Sequence, residues 1–332
     1  MKQQQQQQKQ SKLDSFFKVS ITPSTSKKSF IYCPSICEAW FDYQPSEGDT
    51  FITCKEGIRL YYRQTNYATR QVPLVNSPRT TYVPLLKSNL QKAVRRMDTD
   101  VALTTTLMLL QLEPVELIRR LSIIYIEDVC LIDSLPVVIW LMMVDKEYKL
   151  TNNDKWNILS IVRNLCEVET FYPNIVKENK EFNFNLLEKY PHGDLLLSIY
   201  YRSLYGGMKG DMAMLETSIQ YYIDNPDKIV KQTKYVPNNL TIDPVVRIID
   251  EAIDFHPYPK MLRLIMTNMM NDFDLPDEVD GELVKKYIWF CESAINFRKP
   301  ETIEKSNTMK KDQLWEIILE YLPNVRKLLL EE

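Results

Sequence analysis

The chain has 332 residues, 45% of them hydrophobic and 26% charged, with a net charge of −3, which is globular composition at a length that holds two domains or one large one. Its 7 glycines fall well below the usual share of ~7% of residues, and neither of the glycine-rich loops that cradle phosphates in P-loop ATPases and dinucleotide-binding folds occurs. Two histidines, His192 and His256, and six scattered cysteines leave little for a metalloenzyme or a cysteine–histidine hydrolase, so a non-enzymatic protein without cofactor, metal or catalytic residue is expected.

The small net charge conceals a polarity along the chain. Residues 1–96 carry 15 Lys/Arg against 6 Asp/Glu, whereas the remaining residues hold 26 of the 41 basic groups and 38 of the 44 acidic ones. Such asymmetry suggests a polyanion contact near the N-terminus and an acidic, solvated body. No apolar leader precedes the cysteines and they form no dense framework, which points to a reducing intracellular compartment without disulfides. The longest apolar run, Leu135 to Val144, is about half the ~20 residues a bilayer needs, so it reads as a buried helix and no membrane span is expected.

Residues 1–28 open with a glutamine run and continue through Ser, Thr, Lys and Pro, a composition that cannot bury enough apolar surface to offset chain entropy. A flexible tail is expected there. Within it stands Gln10-Ser11-Lys12-Leu13-Asp14-Ser15-Phe16-Phe17. Two adjacent phenylalanines and a leucine in a polar tail have no core to enter, and apolar anchors of this kind carry partner contacts. The run resembles the PIP box, Q-x-x-[LIM]-x-x-[FY]-[FY], with which replication and repair proteins bind the sliding clamp, proliferating cell nuclear antigen (PCNA). The resemblance implies one 3₁₀ turn on which Leu13, Phe16 and Phe17 form an apolar plug, with Gln10 bonded in an adjoining small pocket. Lys9, Lys12 and Lys18 suit an acidic rim, and Val19-Ser20-Ile21 can extend as an added strand.

From Ser29 to about Pro84 the texture changes to aromatics and β-formers, a small basic segment. Thr50 to Cys54 and Ile58 to Arg63 flank Lys55-Glu56-Gly57 and read as a hairpin. From Leu85 to the end the pattern is helical almost throughout, an irregular multi-helix domain that makes the protein mainly α. Leu86, Leu90, Val94 and Met97 form one stripe of the first helix, with Lys87, Lys92, Arg95 and Arg96 expected off it in water. Asp98 or Thr99 caps a second helix through Gln111, and Pro114 opens a third through Val129. Further helices are expected near 136–146, 154–167, 194–205, 211–224, 244–254, 259–271, 282–297 and 311–330. No repeat of constant period is visible, so a solenoid is not expected.

Residues 90–134 carry a second resemblance, at Lys92, Arg95, Asp98, Asp100, Ala102, Arg119, Arg120, Leu121, Glu127, Asp128, Leu131 and Asp133. This stretch is similar to the helical C-terminal region of the MgsA/RarA ATPases, the Werner-helicase-interacting relatives of clamp loaders. It lacks their ATPase domain, and their Asp-Ile-Gly becomes Asp128-Val129-Cys130. The resemblance implies a helical oligomerisation or DNA-adjacent module of replication-fork proteins, hence possible self-association. Independently of it, Arg119-Arg120 and Glu127-Asp128 sit in a segment of Leu, Ile and Tyr, where a buried ion-pair network is the simplest reading.

Between Lys55 and Arg96 nine basic residues face one acidic residue, interleaved with Tyr61, Tyr62, Tyr67 and Tyr82. Cations neutralise phosphates and aromatic rings stack on unpaired bases, so Arg59, Arg63, Arg70, Lys92, Arg95 and Arg96 are the candidate DNA contacts. Cys33-x₃-Cys37 with Cys54 lacks a fourth zinc ligand, and the carboxylates from Asp272 to Asp280 read as a solvent-facing loop. Tyr205-Gly206-Gly207-Met208-Lys209-Gly210-Asp211 is either a helix stop with Asp211 as the next cap or an anion-binding helix N-terminus. His256 reads as a packing residue. Together these features describe a nuclear, clamp-binding accessory protein of DNA replication or repair; the alternative is a helical scaffold or oligomerisation subunit that never touches DNA.

Overall fold

The computed structural model describes residues 29–332 except 48, 55–56, 64–69, 77–81, 173–183, 233–241, 244, 255–258, 274–278 and 332. The chain is mainly α, with a small four-stranded sheet at the start of the described region. The strands are β1 (Ser29–Cys33), β2 (Glu38–Phe41), β3 (Phe51–Thr53) and β4 (Arg59–Tyr62), in the order β2-β1-β4-β3. The expected hairpin is the antiparallel pair β3–β4, with Ile52 opposite Leu60; β1 runs parallel to β4 and antiparallel to β2.

Twelve helices follow among the described residues: α1 (Val83–Arg95), α2 (Thr99–Leu112), α3 (Pro114–Asp128), α4 (Leu135–Val144), α5 (Asn152–Glu167), α6 (Gly193–Leu204), α7 (Lys209–Asp224), α8 (Asp250–Asp254), α9 (Pro259–Asp272), α10 (Gly281–Ile288), α11 (Pro300–Met309) and α12 (Gln313–Glu331). Asp98 caps α2 by accepting from the Val101 N–H at 3.1 Å, and Pro114 sits in the first turn of α3, where its missing N–H costs nothing. All ten residues of α4 are buried. No helix among the described residues is long and apolar enough to cross a membrane.

The sheet does not stand apart from the helices. Phe30, Tyr32, Phe41, Ile58 and Leu60 belong to the same core as α1 through α8, so the change of composition at residue 84 does not divide the core. Polar bonds inside that core fix the sheet's seat: the Trp140 indole N–H donates to the Phe30 carbonyl at 3.1 Å, and the Tyr32 hydroxyl donates to Asp154 at 2.9 Å. Asp154 also closes a capping box with Thr151 at the start of α5. A second core, with Met261, Ile265, Val284, Ile288, Trp315, Ile318 and Leu322, is built by α9, α10 and α12.

Three helical expectations needed correction. Residues 245–249 form an extended strap along α1, because the Asn89 carboxamide takes their backbone: its Oδ1 accepts from the Ile249 N–H at 2.8 Å and its Nδ2 donates to the Arg247 carbonyl at 3.0 Å. Only α8 remains of the expected helix 244–254. The expected helix 282–297 shortens to α10 and a π-helical turn, Trp289–Ser293. The helix α11 was not anticipated.

The largest correction concerns α1. Leu86, Leu90 and Val94 form the buried stripe, but Lys92 and Arg95 are buried as well, at 4% and 5% exposure. The helix is packed against α2, α3, α5 and α8, and the face that carries Lys92 and Arg95 is covered. Burial, with Arg95 and Arg96 adding repulsion, lowers the Lys92 pKa from 10.5 to about 8. Between those values the unfolded chain holds a proton that the folded chain has released. Stability therefore rises with pH across that window, and the charged ammonium is a net cost at neutral pH. Replacing Lys92 by Met is expected to stabilise the fold at pH 7 by on the order of 1–3 kcal/mol, with the gain shrinking toward pH 10. Urea unfolding of both proteins at the two pH values measures this, and no gain at pH 7 would place Lys92 in water. Trp140→Ala is expected to cost about 3–5 kcal/mol and, because sheet and helices share one core, to lower the near-ultraviolet and far-ultraviolet circular dichroism transitions together.

Candidate functional site

The clamp-binding residues Gln10, Leu13, Phe16 and Phe17 lie outside the described residues. The six candidate DNA contacts separate into two groups. Arg59, Arg63 and Arg70 belong to the sheet and the segment after it; Arg63 and Arg70 are exposed. Each of the three lies over a ring, Arg59 at 4.9 Å from Phe51, Arg63 at 5.8 Å from Tyr43 and Arg70 at 6.0 Å from Trp156, contacts that hold an arginine against the protein. Of the four expected stacking tyrosines, Tyr61 is buried, Tyr62 packs edge-on against Trp140 and Tyr148, Tyr82 is exposed and Tyr67 lies outside the described residues.

Lys92, Arg95 and Arg96 are withdrawn from any phosphate. The Arg95 Nε donates to Asp128 Oδ1 at 2.6 Å, Nη2 to Glu127 Oε1 at 2.9 Å and Nη1 to the Ser293 carbonyl at 3.0 Å. Burial opposes the Arg95 charge, but Asp128 and Glu127 outweigh it and raise the Arg95 pKa. Arg96 bonds Glu251 at 2.9 Å and the Glu292 carbonyl at 3.0 Å. A buried ion network exists here as expected, but the partner of Glu127-Asp128 is Arg95 and not Arg119-Arg120. Within α3 these arginines and carboxylates stand seven to nine positions apart, about two turns or more along the axis, beyond the three- and four-residue spacing at which helix side chains pair.

Arg119 and Arg120 instead wall a cleft of about 320 Å³ with Lys87, Glu116, Ile123, Arg202, Asp211 and the loop from Tyr205 to Met208. Sequence reasoning singled out the glycine loop and, separately, Arg119 and Arg120, but neither Arg202 nor the meeting of the three at one cleft, because Arg202 stands some eighty residues from the other two. Glu116 pairs with Lys87 and, at 3.7 Å, with Arg119; the Lys87 bond, then the Coulombic pull of the cations against burial, lowers its pKa and holds it as a carboxylate. Arg120 Nη1 donates to Gln91 Oε1 at 3.3 Å. Arg202 is 5% exposed; its Nε donates to Ser122 Oγ at 2.7 Å and its Nη1 to the Gly206 carbonyl at 2.9 Å.

The loop reaches this geometry because Gly206 and Gly207 take φ of 73° and 154°, values that other residues rarely adopt. Asp211 is not the cap of α7: the N-cap is Met208, which provides no side-chain bond, and Asp211 falls in the first helical turn. The cleft thus gathers four cations and two carboxylates, a set that attracts and orients an anion. Among the described residues no group of three or more His, Cys, Asp and Glu side chains is arranged to hold a metal ion; Cys33, Cys37 and Cys54 are free thiols. Comparison with protein-family models, with curated proteins and with solved structures finds no match to this chain.

Proposed function

We propose that this protein is a non-enzymatic accessory factor of nuclear DNA replication or repair that docks on the sliding clamp, PCNA, through residues 10–17. The observation that carries the reading is the eight-residue run Gln10 to Phe17, in which every defining position of the clamp-binding peptide is filled. The place of the run in the chain supports it. The first strand, β1, begins at Ser29 and lies inside the sheet between β2 and β4, so the body is anchored firmly where the described fold starts. Residues 18–28 separate Phe17 from that strand, and eleven residues span at most about 36–40 Å. The peptide can therefore enter a pocket on the clamp while the body sits beside it. With Lys92, Arg95 and Arg96 withdrawn, the half-buried Arg59 and the exposed Arg63 and Arg70 are the cations of the sequence-identified set left to meet DNA that threads the clamp.

A short apolar contact made by a segment that loses chain entropy on docking gives affinity in the micromolar to sub-micromolar range. A peptide of residues 8–22 is expected to bind purified clamp by itself in calorimetry. In the full chain, Phe16→Ala with Phe17→Ala removes two aromatic anchors worth ~2 kcal/mol or more each, and affinity is expected to fall by at least about a hundredfold. The circular dichroism of the body should be unchanged. Equal binding by the double alanine protein, or a peptide that does not bind, would end the clamp reading in favour of a helical scaffold.

A further inference from the structure

We propose that the cleft between α3, α6 and the start of α7 is a binding site for a dianionic phosphate group, that of inorganic phosphate or of a phosphomonoester such as a nucleoside 5′-monophosphate. This inference is independent of the tail and its partner.

Charge selects the ligand class. Lys87, Arg119, Arg120 and Arg202 are opposed by Glu116 and Asp211, which leaves an excess of two positive charges at neutral pH. A phosphomonoester carries about −1.5 to −2 at pH 7, whereas a phosphodiester carries one. The shape selects in the same direction. The cations come from α1, α3 and α6 and converge on one concavity; they do not run in a row along a surface, as they must to follow a nucleic-acid backbone. At about 320 Å³ the cleft lies at the lower end of the range for small-ligand sites.

The innermost cation is held in position before any ligand arrives. Ser122 and the Gly206 carbonyl fix two of the three guanidinium nitrogens of Arg202. The third, Nη2, lies 3.9 Å from where a Cβ on Gly207 would stand, so it faces the glycine loop. Burial lowers the Arg202 pKa, and Arg119 and Arg120 lower it further against the opposing pull of Asp211. An anion among these three arginines would offset that repulsion, which gives the cleft an electrostatic reason to bind one. The α7 N-terminus adds to the same field, since Met208 leaves its first turn without a side-chain cap.

Calorimetry on the full chain tests the site with four probes at moderate salt: inorganic phosphate, a nucleoside 5′-monophosphate, the free nucleoside, and a 5′-hydroxyl oligothymidylate that contains only diesters. Phosphate and the monophosphate are expected to bind one to one and to compete, and the nucleoside to give no heat. A tighter monophosphate identifies a nucleotide site, and equal affinities identify a site for the phosphate group alone. Arg120→Gln removes one charge-assisted contact and should weaken both by about tenfold or more. Glu116→Gln keeps a hydrogen-bonding group for Lys87 but deletes a negative charge, and should tighten both; thermal unfolding confirms that each variant is folded. The proposal is overturned if phosphate does not bind, if neither variant moves its affinity, or if the oligothymidylate displaces it.

Discussion

Buried cations at helix ends are the constraint on which this fold depends. The chain must bring two cores together, and the surfaces where they meet contain the carboxyl ends of α1, α3 and α5, each with carbonyl groups that no helix bond can satisfy. Arginines fill that need. Arg298 donates to the Val94 carbonyl at 2.6 Å and, through Nη2, reaches Cys166 at 3.1 Å, tying the ends of α1 and α5 to the segment that leads into α11. Lys299 donates to the Glu127 carbonyl at 2.8 Å at the end of α3. Arg95 lies between these contacts, bonded at once to α3 and to the π-helical turn. On the far side Arg326 of α12 donates through Nε to Asp254 of α8 at 2.8 Å, so the second core is held to the first by a charge pair as well. Cations at helix C-termini are favoured by the helix dipole, and their guanidinium forks serve several carbonyls at once.

Such pairs contribute more to arrangement than to net stability. Taking ions out of water is costly, and a well-packed apolar set in their place is often as stable. Removing one partner is different, because the other stays buried without a counterpart. Asp128 has 1% exposure and receives Gln91 Nε2 at 2.7 Å in addition to Arg95. Any alternative docking of the C-terminal helices would leave the Asp128 carbonyl, which accepts from Asn296 Nδ2 at 2.8 Å, and the carbonyls now held by Arg298 without those donors.

These facts explain what was legible in the sequence. The run from Leu135 to Val144 announced a buried helix because an apolar stretch of that kind has nowhere else to go, and Asp98 and Pro114 announced helix starts because their chemistry is local. The hairpin around Gly57 was equally local. The position of Lys92 and Arg95 was not legible: a helical wheel places them on a polar face, and only the packing of four other helices around α1 shows that this face is covered. The helix α11 was hidden for the opposite reason, since its sequence, Pro-Glu-Thr-Ile-Glu-Lys-Ser-Asn-Thr-Met, has no apolar stripe and Ser306 is its one buried residue. The tail motif and the cleft differ in the same way. A docking peptide carries its recognition in consecutive residues, whereas the cleft exists only because the fold brings Arg202 to the same concavity as Arg119 and Arg120.

The measurement that bears most directly on this view of the fold is a double-mutant cycle on Arg95 and Asp128, by urea unfolding at pH 7 of the wild type, Arg95→Ala, Asp128→Ala and the double variant. If the pair is the buried link between α1, α3 and the C-terminal helices, each single change costs about 3–5 kcal/mol, and the two costs are far from additive, with a coupling of about 2 kcal/mol or more. Small single effects that add to within about 0.5 kcal/mol would mean that the pair is solvated and that the helices are held together by their apolar contacts alone.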